Sequence, residues 1–442
     1  MRKLLIVSPH FPPVNAPDMQ RVRLTLPHLR AHGWEPVVLA LDPAMVEGAV
    51  LEPLLTESYP PDIRVCRVKG LAPHYTRWAG VGNLWWRCGN ALQRAGDELL
   101  RNGGFDLVFI STTQFSSFQL GPRWLRRFGV PYVLDYQDPW TNPYYQRTGT
   151  RPPGGRLKFA VSQFIARRIE PVALQHAAGI VSVSSAYARQ LNAAYPKFDP
   201  QRVTVLPFGA AIADLEIARR HSPRNPLIDF DDGCFHYVYT GRCGPDMRLA
   251  LTGLFRAFAR FRQKQPALGS NMRFHFIGTD YAPPPLGRES VLPVARAEGV
   301  DTCVREQTRR VAYFEALHYL GHAHALVVVG SDDSSYNASK LFPYLLAGKP
   351  LLPILHGQSP AVQLIREASG VTPFTFQGAE DTEKLAEQIL GGWFDKGRFH
   401  ETPRLEPSRF LPFASEALAA RLARVFEQAV ENHRGESKVT NG

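Results

Sequence analysis

The feature that most constrains this 442-residue chain is an alternation that runs nearly its whole length: short apolar, β-branched runs separated by stretches with helical periodicity. Strand, helix, strand in repeated order leaves few options. The strands must run parallel, and the helices must cover both faces of the sheet. In the first half the spacing predicts strands at 3–8, 36–41, 63–68, 107–111, 132–135, 179–183 and 203–206, with helices near 19–31, 84–101, 156–177 and 185–194. A polar, proline-bearing segment from Arg219 to Gly233 interrupts the pattern, which then restarts. Strands are expected at 236–239, 273–277, 325–330, 350–354 and 371–376, with helices near 248–263, 311–320, 341–347, 361–368 and 380–390. A last amphipathic helix is expected over 415–432. The fold class is therefore α/β, with two Rossmann-like doubly wound domains facing a central cleft. The boundaries are set at 1–215, 216–405 and 406–442, the last being a C-terminal helix that crosses back to the first domain, followed by a tail.

Charge separates the halves. Residues 1–210 hold 24 Lys and Arg against 14 Asp and Glu; residues 211–442 hold 27 against 26. A basic first domain suits an anionic partner such as a membrane surface or a phosphorylated substrate. No helix-turn-helix, RRM or KH signature points to nucleic acid. The five cysteines are odd in number and widely spaced, without metal-ligand spacing, so a reducing compartment and no structural metal are expected. Pro9, Pro12 and Pro13 cut short the apolar run that follows Arg2 and Lys3, and no uncharged stretch could span a bilayer. The expected location is the cytoplasm, with peripheral membrane contact at most.

Four segments carry candidate chemistry. The loop after the first strand, Ser8 to Arg21, lacks the glycine fingerprint of a dinucleotide site and the P-loop pattern, and its prolines make it stiff. It reads as an acceptor wall with His10 and Asn15, and Asp18 reads as a helix cap. The segment Leu134 to Trp140 ends a strand in acid and aromatic residues, so Asp138 and Trp140 are candidates for holding a sugar through its hydroxyls and its ring face. Asp135 either shares that task or caps a turn. The turn Tyr239 to Arg248 joins a strand to a helix through Gly241 and Gly244. Its backbone N–H groups and Arg242 could clamp phosphate, with Arg248 nearby. The stretch Ser331 to Pro350 offers Asp332, Asp333, Asn337, Ser339, Lys340 and Leu341 at a second βα junction, where Lys340 and the first helical turn form another anion site. Pro343 fits only in the first turn, so that helix should begin close to Lys340.

Taken together, HFPPVNAPDMQR at 10–21, LDYQDPW at 134–140, HAAGIVSVSSAYARQL at 176–191, VLPFGA at 205–210, YTGRCGPD at 239–246 and SKLFPYLLAGKP at 339–350 resemble the large retaining group of GT-B glycosyltransferases that use nucleotide sugars for bacterial surface polysaccharides. The resemblance implies a metal-independent hexosyltransferase without a cofactor, its first domain binding a glycan or lipid-linked acceptor and its second a nucleoside-diphosphate sugar. Arg242, Lys340 and Asp138 are the implied catalytic residues, and the leaving diphosphate takes the acceptor proton. One departure stands out, because the ribose-binding Glu of that group is replaced by Pro343. A GT-B relative that transfers no sugar, or a basic membrane-surface binding protein, is the alternative.

Overall fold

A computed structural model of the chain describes residues 1–76, 83–138, 140, 156–195, 199–280, 282, 286–334, 341–401 and 407–439, with backbone alone for 156–158, 186, 407 and 436–439. It divides into two compact units. Met1–Gly209 and Ser415–Gly442 form unit 1, and Ala210–Ala414 form unit 2. The break falls at Gly209, a few residues before the expected 215, and the C-terminal segment joins unit 1 from Ser415.

Unit 1 is built on seven strands, β1 (Arg2–Val7), β2 (Trp34–Leu41), β3 (Arg64–Val68), β4 (Leu107–Ser111), β5 (Tyr132–Tyr136), β6 (Gly179–Ser182) and β7 (Val203–Val205). They lie in the order β3-β2-β1-β4-β5-β6-β7, and every pairing is parallel. The apolar run of β1 is continuous because helices bury both of its faces. Leu5 and Val7 share a core with Cys88, Leu92 and Trp124, while Leu4 and Ile6 on the other face pack with Val22, Leu26, Leu422 and Phe426. The helix Ser415–Val439 supplies that second cover, setting Phe426 5.0 Å from the Phe109 ring and 5.5 Å from Trp34. Asn83 caps the helix Leu84–Gly103 through its side chain, and Gly104 ends it at φ 60°.

The helix expected over 19–31 is shorter. An α-helix runs Gln20–Thr25 and then tightens into 3-10 turns over Leu26–His32, because Pro27 cannot donate to the preceding turn. Trp124 is fully buried and gives its indole N–H to Asp97 at 2.8 Å.

Unit 2 holds β8 (Phe235–Thr240), β9 (Met272–Ile277), β10 (Val304–Gln307), β11 (Ala325–Val329), β12 (Leu351–His356) and β13 (Phe374–Phe376), in the parallel order β10-β9-β8-β11-β12-β13. Strand β10 was not expected, since its sequence Val-Arg-Glu-Gln carries no apolar run. An edge strand with one partner tolerates this. The helix Arg248–Lys264 buries Leu251, Leu254, Phe255, Phe258 and Phe261, with Phe258 4.7 Å from Phe274 on β9. In each unit the chain doubles back beside the first strand, between β1 and β4 and between β8 and β11. Ligands of open α/β sheets bind outside the carboxyl ends at such a switch point.

Candidate functional site

In unit 1 the switch point is formed by the loop after β1 and the residues after β4. Asp18 is 2% exposed and does not cap a helix. The 3-10 turn Pro17–Met19 starts from Ala16 without a side-chain cap, which leaves the Asp18 carboxylate free to turn inward. There it meets His10 Nδ1 at 2.9 and 3.0 Å, and it accepts from the Thr112 hydroxyl at 2.9 Å, the Thr113 N–H at 3.1 Å and the Thr113 hydroxyl at 3.2 Å. Burial opposes its ionisation, but the His10 hydrogen bond and charge, with the two threonines, hold it below the ordinary carboxylate range. An ionised Asp18 keeps a proton on Nδ1 of His10, so in the neutral imidazole it is Nε2 that presents a lone pair. Among the described residues Nε2 has no hydrogen-bond partner.

A second buried acid supports the first. Asp135 is fully buried and accepts from Arg21 Nε at 2.9 and 2.8 Å, from the Ser111 hydroxyl at 2.8 Å and from Gln137 at 2.9 Å. Arg21 also donates to the Leu206 carbonyl at 2.7 Å, and Gln137 donates to the Asp18 carbonyl at 2.9 Å. Asp135 is thus an internal ion pair tying the ends of β4, β5 and β7 to the first helix, and it is not presented to a ligand. Asp138 is exposed. Desolvation by the surrounding protein, with the Asp18 charge, raises its carboxyl to about 6.

The other sequence candidates in unit 1 are occupied. Asn15 donates to Glu52 at 2.9 Å and so pins the proline loop. Trp140 is 9% exposed, with one ring face stacked on Phe115 at 5.5 Å and its edge against Phe118 at 6.2 Å, so little indole is left for a sugar. Sequence reasoning missed Asp18, Thr112 and Thr113 as partners of His10. The signal was available in Ser-Thr-Thr-Gln directly after the buried run of β4, where small polar residues at a carboxyl strand end serve a site more often than a core.

In unit 2 the corresponding place is the turn after β8. Gly241 has φ 145°, which disfavours any side chain, but its N–H is given to the Ile277 carbonyl at 2.8 Å and that of Cys243 to Thr279 at 2.9 Å. Of the N–H groups expected to meet an anion, that of Gly241 instead ties the turn to β9. Arg242 remains at the surface of the turn. It forks onto Asp246, Nη1 to Oδ1 at 2.7 Å and Nη2 to Oδ2 at 2.6 Å. Both side chains stay about one-third exposed. Burial works against the Asp246 charge, yet Arg242 and Ser331 pull its carboxyl below the ordinary range. A Cβ at Gly244 would stand 2.1 Å from Arg242 Nη1 and 2.5 Å from Asp246 Oδ1, so a larger residue there would push the ends of both side chains aside.

The second loop meets the first through the Asp332 N–H, which donates to the Asp246 carbonyl at 2.8 Å. Asp332 is exposed, and burial together with the Asp246 and Asp333 charges pushes its carboxyl up. Asp333 gives its own N–H to Ser331 Oγ at 3.0 Å. Arg248 is exposed at the first turn of its helix. Leu341 is buried and opens the helix Leu341–Leu346, with Pro343 in its first turn as expected. Tyr344 locks that helix to β8, its hydroxyl accepting from the Thr240 N–H at 2.6 Å and donating to the Thr240 carbonyl at 3.0 Å. Asn337, Ser339 and Lys340 lie outside the described residues.

Residues 20–209, less than half of the chain, match the family model described as glycosyl transferase 4-like domain. Curated proteins gave no match by sequence. Solved structures similar in fold include sucrose-phosphate synthase from Thermosynechococcus elongatus, at 14% identity and TM-score 0.61 over 97% of this chain and 99% of that one. Anabaena HepE, solved in complex with UDP, matches at 12% identity and TM-score 0.57 over 97% and 100%. A UDP-forming α,α-trehalose-phosphate synthase from Burkholderia xenovorans matches at 14% and TM-score 0.55 over 98% and 100%. The chain has the GT-B fold, and its fold and family match together support a glycosyltransferase.

Proposed function

We propose that this protein moves a sugar from a nucleoside-diphosphate sugar to a glycan or lipid-linked acceptor in bacterial surface-polysaccharide synthesis, with retention at the anomeric carbon. The observation that carries this reading is the glycine turn of unit 2, where Asp246 fixes the Arg242 fork at the switch point of the sheet. A diphosphate seated there would take the fork over from Asp246, exchanging one bidentate charge-assisted contact for another. That Anabaena HepE was solved with UDP supports the same ligand class here.

Each part of the chain then has a task. Arg242, with Lys340 and Arg248, stabilises the negative charge that grows on the diphosphate as the C1–O bond breaks, the kind of electrostatic help that is worth a few kcal/mol per well-placed donor. The acceptor lies against unit 1, where His10 Nε2 and Asp138 each accept a hydrogen bond from acceptor hydroxyls other than the attacking one, which keeps its single proton for the leaving group. The leaving diphosphate accepts the proton, so no resident metal or cofactor is required by this scheme. The basic side of unit 1 faces an anionic cytoplasmic leaflet. Supporting this, the helix Arg156–Gln175 exposes Val161, Phe164 and Val172 beside Arg167 and Arg168, with the Arg168 guanidinium 4.9 Å from the Phe164 ring.

A transfer assay with a panel of nucleoside-diphosphate sugars tests the proposal, read as nucleoside diphosphate released and as the anomeric configuration of the product. Turnover of at least one donor with retention is expected. No turnover and no thermal shift with any of them would favour the non-catalytic reading.

A further inference from the structure

Unit 2 has a second concavity, lined by none of the residues of its glycine turn. A cavity of about 370 Å³ is walled by Lys349 and Phe374, which lie where β12 and β13 begin, together with Tyr344, Trp393, Arg398 and Glu401. The cavity therefore sits at the amino ends of these strands, whereas the loops after β8 and β11 leave from carboxyl ends. Its volume falls in the range of small-molecule sites. The chemistry of the wall is unbalanced. Lys349 is half-buried, and burial pushes its ammonium below the ordinary range with no acidic group offsetting the cost. Arg398 is half-buried on the same wall. Among the described residues neither cation has a carboxylate within ion-pair distance, and the exposed Glu401 pairs with neither. Trp393 is held rigidly, 4% exposed, with its indole N–H on the Tyr237 hydroxyl at 3.2 Å.

A half-buried cation without a partner is costly, and fold-stabilising packing does not need one here. Two of them converging on a cavity with aromatic walls describe a receptor for an anion that carries a flat or ring-shaped body. We propose that this cavity binds a phosphorylated sugar, its phosphate between Lys349 and Arg398, its ring against the half-buried Phe374, and its hydroxyls on Glu401. The site is separate from the proposed donor site and does not depend on that reading.

Calorimetric titration of the full chain tests it, with glucose 6-phosphate, inorganic phosphate, glucose and UDP as probes. Saturable binding of glucose 6-phosphate is expected, with phosphate and glucose at least tenfold weaker. The double variant K349Q/R398Q should weaken glucose 6-phosphate more than tenfold while leaving UDP affinity unchanged, and K396Q, at an exposed lysine two residues before Arg398 that does not line the cavity, should leave both unchanged. Absence of saturable binding overturns the proposal. So does equal affinity for inorganic phosphate, or a double variant that binds like the wild type. If the double variant does not fold, the salt dependence of glucose 6-phosphate binding by the wild type decides, and a flat profile overturns the two-cation site. Loss of UDP binding alone would count against the donor assignment and leave this cavity standing.

Discussion

Replacing Asp18 by Asn keeps the side-chain shape and removes the charge that orients His10. The threonine donors fix how the new amide must sit. Thr112 and Thr113 together point three donors at Oδ2, so in D18N the amide carbonyl must occupy that position and the NH₂ must face His10. Nδ1 then becomes the acceptor of that contact, the ring proton moves to Nε2, and the lone pair proposed for an acceptor hydroxyl disappears. Losing one hydrogen bond of this neutral kind costs roughly 0.5–1.5 kcal/mol, a fall of about 2- to 13-fold in kcat/KM for the acceptor. The donor KM should stay unchanged. The measurement is steady-state transfer with any acceptor that supports turnover, run alongside His10→Gln and the double variant. The double variant should be little worse than either single, because both remove the same contact. A kcat/KM for acceptor within twofold of the wild type, in a folded D18N protein, would refute the role given to His10.

The same geometry sets further outcomes. Because the native Asp18 carboxyl titrates below its ordinary value near 3.8, its stabilising contribution is complete above that value and is lost as the pH falls through the lower native one. The deficit of D18N in urea unfolding should therefore be full at pH 7 and shrink below about pH 4. Asp138 has the opposite sign. Its carboxyl is raised from 3.8 to about 6, so ionising it works against the folded state, and D138N should gain on the wild type as the pH rises from 4 to 6 and hold that gain at pH 8 in a thermal melt. An advantage already present at pH 4 would contradict this. Asp135→Ala strands the buried Arg21 guanidinium and should cost about 3–5 kcal/mol in chemical denaturation of unit 1; a loss under about 1 kcal/mol would show that the pair is not the clasp described here.

Much of the architecture was legible in the sequence because both units bury sheets on two faces, and a buried parallel strand such as Leu107–Ser111 advertises itself as an apolar run. Strand β10 lacked that signal. Its place is set by pairing with β9 at the sheet edge, a tertiary fact that its polar sequence does not carry. The glycine turn could be recognised from Gly241 and Gly244, yet not that the Gly241 N–H would be spent on Ile277 or that Arg242 would fork onto Asp246 four residues away. Likewise, an aspartate before a helix reads as a cap, and only the inward rotation of the loop after β1 reveals Asp18 as the partner of His10. Trp140 illustrates the reverse error. An indole beside acids suggested a sugar platform, but Phe115 and Phe118 lie too far off in sequence to be seen as its packing partners. In each case local chemistry was visible and the long-range contact that assigns it was not.

The measurement closest to the central claim is the affinity of the chain for UDP, by calorimetry, in the wild type and in Arg242→Ala. Removing the guanidinium deletes a bidentate charge-assisted contact and leaves Asp246 unpaired beside the incoming phosphates. The account predicts saturable binding by the wild type and a loss of roughly 10- to 150-fold in the variant, equivalent to about 1.5–3 kcal/mol. A wild-type chain that binds UDP and other nucleoside diphosphates not at all, or an R242A variant that binds UDP as tightly as the wild type, would contradict it.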